Sequence, residues 1–118
     1  MCSWAMRRVA RYGSGYHTIT STPEQVAGEV RNVRAELERA GRDPDGIVIS
    51  MLWAGLDVQG TAQTLDAIGE YARAGMHHLV GIPWLLDRDF AALSDAGRLD
   101  ATLENMRIFA AEVLPEVQ

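Results

Sequence analysis

Few side chains of this chain could do chemistry by their type and spacing. The first is His17, an imidazole that closes the run Gly13-Ser14-Gly15-Tyr16-His17 and can donate, accept or carry a proton near neutral pH. Trp53 and the pair Pro83-Trp84 offer flat apolar rings, suited either to flanking a ring system or to filling a core. His77-His78 has the composition of a metal pair. Neighbours on a strand point to opposite faces, however, so the two imidazoles do not converge and no metal site is expected. Gly13-Ser14-Gly15 lacks the third glycine and the strand-to-helix placement of a dinucleotide-binding loop, and reads as a turn. Asp57, Glu70 and Asp87 are carboxylates without a visible partner, and solvation in loops or helices accounts for them. No nucleophile, base and orienting group stand in a usable pattern, so no catalytic residue is assigned.

These residues need elements to place them, and the order of the elements is the more informative signal. Thr22-Pro23-Glu24-Gln25 supplies an N-cap, a proline at the first helical position and a glutamine that completes a capping box. Val26, Val30, Val33 and Leu37 then form one apolar stripe, with Glu24, Glu29, Arg31, Glu36 and Arg39 assigned to the wet side, until Gly41. After the turn Arg42-Asp43-Pro44-Asp45-Gly46, the run from Ile47 to Ala54 is nearly all apolar, as in a parallel strand covered on both faces. A helix follows over 64–74, with Leu65, Ile68 and Ala72 on one side and Gly75 at its end. A strand follows over 78–82. A short helix is expected around Phe90, and a last helix carries Leu99, Leu103, Met106, Ala110 and Val113 until Pro115. Residues 3–11 read as a helix and 13–17 as a strand. The alternation predicts α/β architecture with a parallel sheet.

Composition bounds the rest. With 118 residues, 47% hydrophobic and 23% charged, the chain is long enough for one modest core and is not of disordered type. A net charge of -5 argues against a nucleic-acid partner, and the cluster Arg7, Arg8 and Arg11 reads as a solvated helix face. Cys2 is the single cysteine, which excludes an internal disulfide and favours a reducing, cytoplasmic setting. No run is long enough to span a membrane, and no targeting segment is recognised at the start.

Five segments, taken together, resemble a known family: Arg7 to His17, Thr22-Pro23-Glu24, Ala40-Gly41-Arg42-Asp43-Pro44, Ala74-Gly75-Met76-His77-His78-Leu79 and Ala111-Glu112-Val113-Leu114-Pro115. In this order they are similar to the C-terminal third to half of luciferase-like monooxygenases, most of all to the deazaflavin-dependent oxidoreductases among them. The resemblance implies a partial (β/α)8 TIM barrel, with about three C-terminal βα units and a C-terminal helix in a single domain, 1–118. Three units are too few to close an eight-stranded barrel of about 250 residues. It also implies FMN or the deazaflavin coenzyme F-420 as cofactor and a small organic substrate. Two departures stand out. Ser14-Gly15-Tyr16 replaces the family's Asp-Gly-Trp, and Met1-Cys2-Ser3 stands where the strand and the phosphate-binding glycine loop are expected.

In a barrel the ligand lies at the carboxyl ends of the strands, which makes His17, Trp53 and Trp84 the lining candidates for the cofactor. Two functions follow as expectations. One is the C-terminal part of a flavin- or deazaflavin-dependent oxidoreductase or monooxygenase, inactive alone. The other is a non-catalytic remnant that acts as a homo-oligomerisation module, because an open sheet has edges that invite pairing.

Overall fold

Local capping sets the frame. In the computed structural model Thr22 caps helix α2 (Pro23–Arg39) in the expected way: Gln25 N–H donates to Thr22 Oγ1, and Gln25 Oε1 accepts from Thr22 N–H, both at 3.3 Å. The structure describes residues 3–19, 22–53, 55 and 58–117; Cys2, Ala54 and Asp57, singled out above, lie outside them. Val26, Val30, Val33 and Leu37 are all buried, each contributing about 1.5–3 kcal/mol of apolar burial.

The element order is α1 (Ser3–Tyr12), β1 (Gly15–Thr18), α2, β2 (Val48–Leu52), α3 (Gly60–Arg73), β3 (His78–Val80), a 3₁₀ turn (Phe90–Ala92), α4 (Asp95–Ile108), a π turn (Phe109–Val113) and α5 (Leu114–Val117). The three strands are parallel and lie in the order β1-β2-β3, so the α/β expectation with a parallel sheet holds. Among the described residues no helix is long and apolar enough to cross a membrane. Arg7, Arg8 and Arg11 are exposed along α1, whose buried residues are Met6 and Ala10.

The contacts divide the chain into two compact units, one of residues within 1–53 and 70–80, the other of residues within 54–69 and 81–118. In the first unit Tyr16, Thr18, Ile47, Ile49, Met51 and Trp53 are buried on one side of the sheet. Glu29 of α2 reaches Tyr16 and Thr18, and Tyr71 of α3 packs on Trp53, so both crossover helices dock on that same side. α3 closes on Gly75, at φ +98°, where Met76 N–H donates to the Tyr71 carbonyl and Gly75 N–H to that of Ala72. A Cβ there would also stand 2.9 Å from Val30 Cγ1.

The opposite side of the sheet corrects one expectation. β2 is not covered on both faces: Val48 and Leu52 are 44% and 71% exposed, alternating with buried Ile49 and Met51. Helices cover a single face, and the uniformly apolar run hid which one. α3 starts at Gly60, earlier than expected, and buries Thr64 and Tyr71 while Ala72 is exposed.

In the second unit α4 departs further. Leu99, Leu103 and Met106 are exposed, while Ala101 and Asn105, four residues apart, form the buried face. Asn105 accounts for the choice, since its Oδ1 accepts from Leu85 N–H at 2.6 Å and its Nδ2 donates to the Pro83 carbonyl at 2.9 Å. Pro115 does not end the helical run. The π turn ahead of it, with Leu114 N–H bonded to the Phe109 carbonyl, widens the turn where a proline has no N–H to give. The short helix expected around Phe90 is present as a single turn capped by Asp89.

Candidate functional site

Strand register decides which polar side chains meet. His17 pairs with Ser50, and Ser50 with His78, so three polar residues stand in one row across the sheet. His17 Nδ1 lies 3.0 Å from Ser50 Oγ. His17 and His78 are exposed and Ser50 is half-buried, all on the face that carries no helix. Beside them run exposed Leu52 and its partner Val80, with Ile19 following β1. The surface is thus a polar row with an apolar border. β1, β2 and β3 carry no arginine, and the chain has no lysine.

Within the first unit, the lining candidates His17 and Trp53 do not share this surface. His17 lies on it. Trp53 continues the buried side of β2 at 5% exposure, edge-on to Tyr71 with centroids 5.9 Å apart. Its Nε1 has no hydrogen-bond partner among the described residues. Trp84 belongs to the second unit, where it donates from Nε1 to the Arg88 carbonyl at 3.0 Å and packs edge-on against Phe90. There it borders a cleft of about 630 Å³ with Gly60, Leu85 and Arg88, and an apolar groove of about 470 Å³ with Ile82, Phe90 and Met106. Arg88 is paired with Glu104.

His77 lies just ahead of β3 and His78 is its first residue, and both are exposed. His77 Nδ1 accepts the Ile49 N–H at 2.9 Å while the His77 backbone N–H donates to the Ile49 carbonyl, so this residue extends the pairing ahead of the start of β3. Glu70 and Asp87 are exposed. Among the described residues no group of three or more His, Cys, Asp or Glu side chains is gathered as a metal site.

One polar cluster was placed on the wrong side in the sequence. Glu29, assigned to the wet face of α2, is buried, and its Oε2 accepts from Tyr16 Oη at 2.9 Å and from Thr18 Oγ1. Burial pushes the Tyr16 hydroxyl well above the ordinary tyrosine range, and the bonded, negatively charged Glu29 adds to the shift. Tyr16 faces the helices, away from His17. The cluster ties β1 to α2 and brings no group to a surface.

A flavin-type ring would find hydrogen-bonding groups in His17 and Ser50 and apolar contact in Leu52 and Val80. A phosphate would find no cation on the strands. Hydrogen-bonding and apolar groups for a ring are thus present on this face, and the three strands offer no cation to a phosphate. Comparison with protein-family models, with curated proteins and with solved structures finds no match for this chain.

Proposed function

We propose that the chain is the C-terminal part of a luciferase-like oxidoreductase or monooxygenase that uses FMN or the deazaflavin coenzyme F-420 on a small organic substrate. One observation carries the reading: three parallel strands in sequential order, with their crossover helices on one face and His17 on the bare face. A doubly wound sheet has helices on both faces and a break in strand order, whereas a (β/α)8 barrel keeps sequential order and turns one face inward. The arrangement therefore supports a partial barrel, and the five motifs supply the family.

In this reading His17, at the carboxyl end of β1, contributes a hydrogen bond at the ring edge, and Ser50 fixes the orientation of its imidazole. Leu52 and Val80 keep water from that side of the ring. The cofactor, when bound, supplies hydride transfer or oxygen activation. The three strands contribute ring contacts and no cation for a phosphate, so weak binding and negligible turnover are expected. Fluorescence titration with FMN and with F-420 tests it. Saturable binding that weakens about tenfold in His17→Ala supports the reading, and no binding of either cofactor by the folded chain overturns it.

A second reading is favoured by a different observation. β1 and β3 are the sheet's two edges, and Ile19, Leu52 and Val80 are each more than half exposed. Such a surface fits a non-catalytic module that pairs with a second copy of itself. Light scattering that finds only monomer over a wide concentration range would count against this module.

A further inference from the structure

We propose that the exposed stripe of α4 is an interface with a second copy of this chain, along which the two α4 helices pair antiparallel. Leu99, Leu103 and Met106 follow at steps of four and three, the d-a-d spacing of a heptad seam, with Ala96 at the preceding a position. All four are exposed, Leu99, Leu103 and Met106 at 62%, 42% and 49%. The helix is already held from its opposite side, where Ala101 and Asn105 are buried, so pairing requires no new helix to form.

The charges beside the seam identify the partner. Asp95 is paired with Arg98 and Glu104 with Arg88, whereas Asp100 and Arg107 make no ion pair among the described residues. Both occupy exposed e positions on α4, seven residues and so about 10.5 Å apart along the axis, too far to meet each other. In an antiparallel pair e positions lie beside e positions and a packs against d. Leu103 then packs on the partner's Met106, Asp100 comes beside the partner's Arg107, and two-fold symmetry repeats both contacts with the roles exchanged.

The same charges reject the alternative arrangements. A shift by one heptad sets Asp100 against the partner's Asp100, or Arg107 against the partner's Arg107. Parallel helices place Asp95, at a g position, beside the partner's Asp100. An acid and a base left unpaired within one chain, and matched when the stripe meets itself in a single register, fit a second copy of the chain. The pairing is independent of the flavin reading and involves neither the face nor the edges of the sheet.

The test is sedimentation equilibrium of the full chain with Cys2→Ser, so that no disulfide links two copies. A reversible monomer–dimer equilibrium is expected, weakened at least tenfold in Leu103→Asp and in each of Asp100→Arg and Arg107→Asp. An equal mixture of those two charge variants should regain an affinity within about threefold of the starting chain, because acid then faces base at both e pairs. Far-UV circular dichroism checks that the variants fold, and Leu103→Ser replaces Leu103→Asp if it does not. Monomer at every concentration, or charge variants whose mixture pairs no better than either alone, would overturn the interface. So would a dimer that survives Leu103→Asp, and its loss in Val80→Asp would move the pairing to the sheet.

Discussion

Replacing Glu29 by glutamine keeps the length and shape of the side chain and removes a charge from a position that is 9% exposed. Its Oε2 accepts from both Tyr16 and Thr18. A hydrogen bond to a charged group contributes about 1.5–3 kcal/mol, against about 0.5–1.5 kcal/mol for a neutral pair, so losing the charge costs about 1 kcal/mol per bond. Glu29→Gln should therefore destabilise the fold by about 2 kcal/mol, a large part of the stability of a small domain. Urea unfolding followed by far-UV ellipticity and by tryptophan fluorescence measures it. With a slope of about 1–3 kcal/mol per molar urea, the midpoint should fall by about 1 M without a change in slope. Combined with Tyr16→Phe, the two losses should couple by about 1 kcal/mol instead of adding. An unchanged midpoint, or full additivity, would refute the engagement of the carboxylate with the strand.

Three further outcomes are expected. Because the folded state raises the Tyr16 pKa, it keeps a proton that the unfolded chain releases near pH 10; that contribution is whole below about pH 10 and is lost as pH rises beyond, at up to about 1.4 kcal/mol per pH unit. Tyr16→Phe should flatten the alkaline limb of stability against pH, and an identical limb would contradict the assignment. Gly55→Ala should cost more than Gly41→Ala in thermal unfolding: both have positive φ, but a Cβ at Gly55 meets Pro83, with Pro83 Cα at 3.0 Å, while at Gly41 it meets nothing within 4 Å. The expected difference is about 2 kcal/mol, within the usual cost of overpacking. Asn105→Leu should destabilise the fold by about 2–3 kcal/mol, since the Leu85 N–H and the Pro83 carbonyl each lose a partner; hydrogen exchange at Leu85 that stays unchanged would argue against that bond.

What the sequence makes readable follows the range of the forces involved. The Thr22–Gln25 cap and the Val26–Leu37 stripe are local patterns, and both are present as expected. The face of β2 was not readable, because the run from Ile47 to Trp53 contains no alternation, and only docking of α2 and α3 on one side exposes Val48 and Leu52. Glu29 was misplaced because its partners lie on a strand 11 and 13 residues upstream, and a carboxylate beside a helical stripe looks solvated. The row His17-Ser50-His78 depends on the register of three strands, which no local pattern encodes. In α4 the apolar positions suggested one face and Asn105 selected another, through bonds to a loop about twenty residues earlier.

In the proposed function the bare face of the sheet is the ligand face. Amide chemical-shift mapping of the ¹⁵N-labelled chain during titration with FMN and with F-420 tests it most directly. Saturable shifts clustered at His17, Ser50, Leu52 and Val80 are expected with one of the two cofactors. Shifts confined to residues around Trp84 and Arg88, or none with either cofactor, would contradict it.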